Sequence, residues 1–396
     1  MKDTLFSIIV LHYNQPRYVL TALESVLCQD YSNIELVFAD DASTSIDLEQ
    51  IQNYIDKNKK ENLKNVIYSI NEENMGTVKT VNNAVKKCNG EHILFFAADD
   101  ALFDSSVISN FKSAFDKASD NVYMISSQCY MMDIKMKKKL EDFIKPAQAI
   151  SFNKLSALQQ YKVFCKSCFL AIGATAMRRE MFKQFGYFDE TYKFVEDWSY
   201  FLHLTRNGGL IRYVDFDGLR HRDGGVSHYV AEGELPPHVI EYKYDMLKIF
   251  EREIIPYLKQ FGSEVIVNTL RWYANEKRGY YLAGGTQETM PIMKLVMAFP
   301  SFYIQSLLLP LTRDWEWSLR MFKTSFWVAL VYAVSLVGIL TAPKSLVPVF
   351  GIVYYGFGII LLITLYCALG IILIKSGLTI LRNIKKIQRR PTMNSQ

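Results

Sequence analysis

Residues 6–13 read FSIIVLHY, a short apolar run rich in β-branched residues, and Pro16 then opens a pattern with helical spacing. The run predicts a β-strand and the pattern predicts a helix. The same alternation recurs three times along the chain. Further strands are predicted at 34–39, 66–70 and 92–98, with helices near 46–54, 77–87 and 105–118. Four successive strand–helix units indicate an α/β fold, a parallel sheet with helices on both faces.

Polar residues follow each predicted strand at the point where it ends. In a parallel α/β sheet, ligands bind at the carboxyl ends of the strands, so these residues are the first candidates for a site. Taken singly, each acid among them could be a helix cap or a turn residue. Their coincidence at successive strand ends favours a shared site. The residues are Tyr13 and Asn14, then Asp40 and Asp41, then Asn74 with Gly76, and finally Asp99 and Asp100.

The residue types at this edge indicate the kind of ligand. No G-x-G-x-x-G follows the first strand and no G-x-x-x-x-G-K-[ST] occurs, which disfavours a dinucleotide or a P-loop triphosphate. Carboxylates repel phosphate unless a divalent cation lies between them, and an Asp pair at a strand end suits Mg²⁺ or Mn²⁺. A nucleoside diphosphate linked to a transferable group fits this edge. Tyr13 can stack on its base, and Asp41 can accept a hydrogen bond from a uracil N–H or a ribose hydroxyl.

The excess of basic residues lies in the C-terminal tail. The chain has 45 Lys and Arg against 40 Asp and Glu, a formal net charge of +5. Residues 375–396 contain six basic residues and no acidic one, which leaves 39 basic residues against 40 acidic ones in the rest of the chain. The region with the strand–helix units therefore has no broad cationic face, and a nucleic acid partner is not expected.

Two long uncharged runs precede this tail, at 324–343 and 345–374, separated only by Lys344. Runs of this length are typical of transmembrane helices. They predict spans at about 324–342 and 348–374, joined at Pro343 and Pro348. Basic residues at both outer ends predict an inner-membrane protein with both termini and the strand–helix region in the cytoplasm, and with membrane lipids as partners. Two buried core helices of a soluble protein are the alternative.

Three segments of the chain resemble a known family. They are 7–43 (SIIVLHYNQPRYVLTALESVLCQDYSNIELVFADDAS), 74–100 (NMGTVKTVNNAVKKCNGEHILFFAADD) and 186–209 (GYFDETYKFVEDWSYFLHLTRNGG). Together they resemble the family 2 glycosyltransferases of the GT-A fold. The resemblance implies a Rossmann-like, mostly parallel sheet, a nucleotide-sugar donor with a UDP-sugar as the first expectation, a divalent cation (Mg²⁺ or Mn²⁺) and inversion at the anomeric carbon.

The resemblance and the uncharged runs together predict four parts of the chain. These are a GT-A domain at 1–230, a helical or interfacial region at 231–323, a transmembrane hairpin at 324–374 and a basic cytoplasmic tail at 375–396.

Carried over by position, the resemblance implies roles for the residues of the donor site. Tyr13 and Asp41 look like contacts to the base, and Asp40 is placed near the ribose. Asp99 and Asp100 look like the acids of the metal and the diphosphate. The remaining expected donor contacts are Asn14, Asn74, Lys79, Arg220 and Arg222.

Several positions depart from the family pattern. Ala97 replaces the first Asp of the common Asp-x-Asp-Asp, so Asp99 and Asp100 are the only acids of this motif. The prediction of a divalent cation is weaker for that reason. An Arg common in the family is Val81 here, and Lys79 either serves a donor phosphate instead or is solvated. Residues 219–227 (LRHRDGGVS) resemble a loop that can close on the diphosphate, with His221 as a weak candidate metal ligand.

Glu196 and Asp197 open a helical pattern in the third of these segments. Sugar transfer requires the acceptor hydroxyl to lose its proton as it attacks the anomeric carbon, and a positioned carboxylate is a suitable base. A helix N-terminus favours the ionised carboxylate. We predict Asp197 as the catalytic base and Glu196 as a neighbour that orients the acceptor. The alternative is that Asp197 only caps the helix.

These residues predict an inverting, membrane-anchored glycosyltransferase. It would move a sugar to a hydroxyl of a lipid-linked saccharide in cell-surface polysaccharide biosynthesis. Two alternatives stay open, namely transfer to polyprenyl phosphate and a catalytically silent membrane protein that binds nucleotide.

Overall fold

The computed structural model describes residues 4–224, 237–261 and 263–291, together with residues 298 and 340. The chain divides into two units, Met1–Met297 and Ala298–Gln396. The fold described below is that of the first unit. Apart from residue 340, the predicted membrane hairpin and basic tail lie outside the described residues.

The first half of the sheet has the predicted alternation of strands and helices. Its four strands are parallel and lie in the order β3-β2-β1-β4. Each predicted unit is present, with ends shifted by a few residues. The elements are β1 (Phe6–His12), α1 (Val19–Leu27), β2 (Ile34–Asp40), α2 (Leu48–Asn58), β3 (Leu63–Ile70), α3 (Thr77–Lys87), β4 (His92–Ala97), β5 (Ala101–Leu102) and α4 (Val107–Lys117).

Burial explains why these strands read as continuous apolar runs. All seven residues of β2 are buried, and only Leu11 of β1 is partly accessible. Strands covered by helices on both faces need apolar side chains in both directions, so alternation is absent. β3 forms the edge of the sheet and is mostly accessible, which agrees with its weaker apolar pattern.

The second half of the sheet is mixed, and the prediction of a mostly parallel sheet is wrong there. Its strands are β6 (Val122–Met132), β7 (Lys139–Asp142), β8 (Thr175–Arg178) and β9 (Leu210–Arg222). β8 runs antiparallel to both β4 and β6, whereas β9 runs parallel to β6. β7 and β5 add antiparallel partners to β6 and β9. The regular strand–helix alternation that predicts parallel crossovers ends at α4, so it carries no information about this half.

Three of the remaining helices, α5, α6 and α8, pack on β9 in the second half of the sheet. α9 and α10 lie in the described part of the region predicted as helical or interfacial. Trp272 of α10 stacks on Trp198 of α8 with ring centroids 5.1 Å apart, so this region belongs to the same unit. The helices are α5 (Pro146–Phe152), α6 (Ala157–Phe164), α7 (Met181–Phe185), α8 (Glu196–Arg206), α9 (Pro237–Ile249) and α10 (Ser263–Leu282).

The localisation predicted for the chain, a multi-pass membrane protein, requires correction. Within the described residues, no helix combines the length and the apolar character needed to cross a membrane. α10 has 20 residues but includes five charged ones, which are costly in hydrocarbon. The runs on which that prediction was based, 324–342 and 348–374, lie outside the described residues apart from residue 340.

His92 makes the stability of this fold depend on pH. It is buried at the start of β4, with its ring 4.3 Å from that of Phe115, and burial lowers its pKa to about 4. An unfolded histidine takes up a proton below about pH 6.5, so the unfolded chain binds more protons and stability falls as the pH drops from 6.5 toward 4. The free energy of unfolding of the wild type should therefore fall between pH 7 and pH 5. We expect His92→Phe to make this fall smaller by about 2 kcal/mol. Urea unfolding at both values checks this, and an unchanged loss in the variant would refute it.

Candidate active site at the carboxyl edge of the sheet

The polar ends of several elements meet at the carboxyl edge of the sheet. β1, β2 and β4 are parallel and end there. β6 runs in the same direction as β4, because β8 is antiparallel to both, and β9 is parallel to β6. α8 also begins at this edge, since the backbone N–H of Val78 in α3 donates to the carbonyl of Lys193 at 3.4 Å. The predicted acids and the end of β9 therefore share one edge.

Asp40 is buried, and its carboxylate forms hydrogen bonds with other residues of the protein. Its Oδ1 lies 2.6 Å from Nδ1 of His12, and its carboxylate accepts hydrogen bonds from the hydroxyl and the N–H of Ser43 at 2.6 and 2.9 Å. Burial acts to raise the pKa of Asp40, but the hydrogen bonds from His12 and Ser43 outweigh it and hold the pKa below its ordinary value. Asp40 therefore joins β1 to the loop after β2, a role that the predicted ribose contact did not anticipate.

Asp41 shapes the loop that leads into α3. Its carboxylate accepts hydrogen bonds from the N–H groups of Met75 and Gly76, at 2.8 and 2.9 Å, and from the amide of Asn71 at 3.0 Å. Gly76 has a φ of +85°, and a Cβ there would lie 2.7 Å from Cγ of Lys193, so the loop requires glycine. These contacts use three of the four acceptor positions of a carboxylate and leave one for a ligand.

Tyr13 and Asn14 form the turn after β1. Asn14 has a φ of +51°, and its Oδ1 accepts a hydrogen bond from the N–H of Thr44 at 2.9 Å. This fixes the turn against the loop after β2 and leaves Tyr13 47% exposed. The two other predicted contacts on this side are Asn74, which is exposed in the loop before α3, and Lys79, which is half-buried on α3.

The two acids after β4 have different surroundings. Asp100 is buried and accepts hydrogen bonds from Nδ1 of His221 at 2.9 Å and from the N–H of Arg222 at 3.0 Å. Burial acts to lower the pKa of His221, but the contact with Asp100 raises it overall. Asp99 forms no ion pair within the described residues. Burial, and then the charge of Asp100, raise the pKa of Asp99. Asp99 is therefore the carboxylate that a cation would stabilise.

Arg220 and Arg222 are held by backbone carbonyls. Arg222 is buried, stacks 4.0 Å from the ring centroid of Tyr18, and donates hydrogen bonds to the carbonyls of Asp99, at 2.8 Å, and Ile134. Arg220 donates to the carbonyl of Leu102 at 3.2 Å. The prediction of a loop at 219–227 is wrong for 219–222, which complete β9, because these residues pair with β6 and β5.

The donor set tests whether a divalent cation fits here. Within the described residues, no group of three His, Cys, Asp or Glu side chains is arranged to hold a metal ion. Asp100 and His221 are hydrogen-bonded to each other, so the predicted set of Asp99, Asp100 and His221 is not a ready-made site. Asp99 is suited to be one ligand of Mg²⁺ or Mn²⁺, whose other ligands would be a diphosphate and water, as is usual for Mg²⁺.

Glu196 and Asp197 form the first turn of α8, as predicted. Glu196 is buried, and its Oε2 has no hydrogen-bond partner among the described residues. Burial and the charge of Asp197 raise the pKa of Glu196 well above its usual range. Burial also raises the pKa of Asp197, but its Oδ1 accepts the N–H of Trp198 at 2.5 Å. The hydrogen bond from the N–H of Trp198 and the N-terminus of α8 both favour an ionised Asp197, which then lies beside a protonated Glu196.

Asp245 of α9 is a site residue that the sequence analysis missed. It is 1% exposed and accepts hydrogen bonds from the N–H groups of Lys193 and Phe194 at 2.7 and 2.8 Å. Nζ of Lys248 lies 2.6 Å from its other oxygen. Asp245 thereby fixes the segment that leads into Glu196 and Asp197. Nothing in its local sequence distinguishes it from any other acid of a helix.

Replacing Asp245 with Asn tests this positioning. We expect unfolding stability to fall by about 1–3 kcal/mol, because the charged acceptor of two partly buried N–H groups is lost. We expect turnover to fall by about 10- to 100-fold through misplacement of α8, with little change in donor affinity. Denaturant unfolding and initial rates measure both. Asp116→Asn, which removes the exposed partner of Lys112, is the matched control, and equal turnover in the two variants would contradict the role of Asp245.

Comparisons with known proteins show which proteins this chain is similar to. Residues 7–186 match the model of the glycosyl transferase family 2. An uncharacterised glycosyltransferase of Rickettsia typhi is 25% identical over 319 residues, which cover 78% of this chain and 92% of the relative. The putative colanic acid biosynthesis glycosyl transferase WcaA of Escherichia coli K12 is 36% identical over 98 residues, 25% of this chain and 33% of the relative.

A third relative is the poly(ribitol-phosphate) β-N-acetylglucosaminyltransferase TarS of Staphylococcus aureus. It is 34% identical over 99 residues, 24% of this chain and 16% of the relative. The crystal structure of its residues 1–349 has a TM-score of 0.47 at 18% identity, covering 76% of this chain and 80% of that structure. The sequence matches thus span a third or less of WcaA and TarS. Residues 7–186 of this chain thus belong to the glycosyl transferase family 2, and the chain is a glycosyltransferase.

Proposed function

We propose that this enzyme is an inverting glycosyltransferase that moves a sugar from a nucleoside diphosphate, with UDP as the first candidate, to a hydroxyl of a lipid-linked saccharide in the assembly of a cell-surface polysaccharide. One observation carries the proposal. Asp41 and Asp99 lie at the same sheet edge at which Glu196 and Asp197 open α8. The first pair suits a nucleoside diphosphate, and the second suits an acceptor hydroxyl.

The donor side follows from the contacts around the strand ends. The exposed ring of Tyr13 stacks on the base, and the remaining acceptor position of Asp41 takes an N–H group of the base. Asp99 would hold the divalent cation, which when bound offsets negative charge on the leaving diphosphate. Asp100 fixes the end of β9 beside Asp99 through His221 and the N–H of Arg222.

The acceptor side follows from the unequal surroundings of the α8 acids. Asp197 takes the proton of the acceptor hydroxyl as this attacks the anomeric carbon. Glu196, which burial keeps protonated, donates a hydrogen bond to the acceptor and does not compete as a base. Attack from the face opposite the diphosphate inverts the anomeric configuration.

The names of two relatives support a glycan acceptor. WcaA is named for colanic acid biosynthesis, and TarS is named for transfer to poly(ribitol-phosphate). Both names concern polymers that contain many hydroxyl groups. A hydroxyl acceptor has to lose a proton, which a carboxylate base can take. A phosphate acceptor is already ionised and needs no base.

A panel of donors and acceptors tests this function. Purified full-length chain is incubated with labelled UDP-, GDP- or dTDP-sugars, with Mn²⁺ or with EDTA, and with either a lipid-linked disaccharide or polyprenyl phosphate. We expect Mn²⁺-dependent product on the disaccharide. Product on the bare phosphate would contradict the hydroxyl acceptor. Turnover that is equal in EDTA would contradict the cation at Asp99.

A further inference from the structure

The hairpin between β6 and β7 carries positive charge that is not part of the proposed donor site. We refer to residues 133–138 as the lysine hairpin. Its three lysines, Lys135, Lys137 and Lys138, are exposed, and no acidic side chain of the described residues pairs with them. Lys139, in contrast, lies 2.6 Å from Asp142 and over the ring of Tyr130 at 4.2 Å. Three ammonium groups are therefore available to a ligand.

The backbone of the lysine hairpin is held in one arrangement. Oδ1 of Asp133 accepts hydrogen bonds from the N–H groups of Lys137 and Lys138, at 2.7 and 2.9 Å. The N–H of Asp133 donates to the carbonyl of Lys138 at 2.9 Å, and Met136 adopts a φ of +56°. Oδ1 of Asp133, the one acid of the hairpin, thus holds two backbone N–H groups, and the charge of Asp133 offsets only part of the positive charge of the lysines.

The lysine hairpin lies near Asp99 at the carboxyl edge of the sheet. β6 ends at the carboxyl edge of the sheet, so the turn that follows it projects from that edge. The guanidinium of Arg222 joins the two features directly, because it donates hydrogen bonds to the carbonyl of Ile134 in the hairpin and to the carbonyl of Asp99. A ligand on the lysines therefore lies at the rim of the active site.

We propose that the lysine hairpin binds phosphate groups of the acceptor, so that the acceptor of this enzyme is a phosphate-bearing glycan. This inference rests on the proposed function and narrows its substrate class. Lysine is a common phosphate ligand that acts as a point charge. The donor's own diphosphate is assigned to Asp99 at the strand ends. The positive charge of the lysine hairpin at the rim of the active site is therefore available to the second substrate, the acceptor. The phosphate is either a phosphodiester of a polymer or the diphosphate of a lipid-linked saccharide, and separate probes distinguish these two sources.

The test uses the full-length chain and the triple variant Lys135→Gln, Lys137→Gln, Lys138→Gln. The matched control replaces Lys57, Lys59 and Lys60 with Gln. These lysines are also exposed, but they lie in the last turn of α2 and just after it, at the opposite edge of the sheet. Binding is measured with a dye-labelled glycerol phosphate hexamer and with a prenyl-diphosphate disaccharide. Vesicles that contain phosphatidylglycerol are tested in parallel.

We expect the hairpin variant to bind at least one phosphate probe about tenfold more weakly than wild type, and the control variant to bind within about twofold of wild type. The wild-type affinity should fall as NaCl rises from 50 to 500 mM, because salt screens exposed charges. The inference is overturned if wild type binds neither phosphate probe, if both variants bind equally, or if the hairpin affects binding to vesicles alone.

UDP binding to the same three preparations keeps this inference separate from the proposed function. Intact UDP binding with no effect of the hairpin counts only against the phosphate-bearing acceptor. Failure of the wild-type chain to bind or turn over any nucleotide sugar counts against the proposed function itself.

Discussion

Asp197→Asn is expected to lower the rate of sugar transfer by about 10³-fold while donor binding stays intact, since a positioned general base contributes about 10² to 10⁴. The substitution keeps the size of the side chain and an acceptor oxygen for the N–H of Trp198. It removes only the group that can take the acceptor proton. Single-turnover transfer and calorimetric UDP binding measure the two effects.

The pH dependence of the wild-type enzyme supplies an independent check on Asp197. The base works when it is ionised, so activity rises with pH through the pKa of Asp197. Burial raises the pKa of Asp197, and the rise should therefore lie above the usual Asp range near pH 3.9. Asp120→Asn, an exposed acid just before β6, is the matched control. Equal transfer by the Asp197 and Asp120 variants would assign Asp197 to helix capping alone.

The second large effect is expected for Asp99→Asn. Removing the carboxylate assigned to the cation should lower turnover by about 10²- to 10³-fold, as loss of charge stabilisation at a leaving group typically does. It should also weaken Mn²⁺ binding in the presence of UDP, which electron paramagnetic resonance reports without any need for turnover.

A nearby acid gives the control for Asp99. Asp104 accepts a hydrogen bond from the N–H of Ser106 at 2.8 Å, so Asp104→Asn removes a turn carboxylate and leaves the strand ends intact. We expect that variant to keep the Mn²⁺ affinity of wild type. Normal Mn²⁺ binding in Asp99→Asn would show that the cation, if used, is held elsewhere.

The first half of the fold was predictable because its information is local. Each of β1 to β4 is an apolar run followed by a helical pattern, and burial on both faces produces that run. The second half depends on pairing between distant segments. β8 has only four residues and pairs with β4, which lies about 80 residues earlier, so its direction could not be read from spacing.

The candidate site was predictable in composition and less so in the role of each residue. Strand ends and a helix start placed Asp41, Asp99 and Asp197 at one edge. Burial then separated residues that look alike in sequence. Asp40 is occupied by His12 and Ser43, whereas Asp41 keeps one acceptor position. Asp245 was missed because its partners, Lys193 and Phe194, precede it by about 50 residues.

The membrane prediction shows a different limit of sequence reasoning. Long uncharged runs at 324–343 and 345–374 were assigned to a bilayer from composition. The described helix α10 instead uses its aromatic residues for packing within the protein, since Trp272 stacks on Trp198 of α8 and Tyr273 contacts Phe250. Hydrophobic content in this chain therefore serves helix packing around the site as well.

The central claim, inverting transfer with Asp197 as base, is tested most directly by the anomeric configuration of the product. Proton NMR of the first product, formed by wild-type chain from an α-linked UDP-sugar, reports that configuration. A β-linked product that forms in wild type and is lost in Asp197→Asn is the predicted result. An α-linked product, or a β-linked product formed at equal rates by both proteins, would contradict the assignment of Asp197.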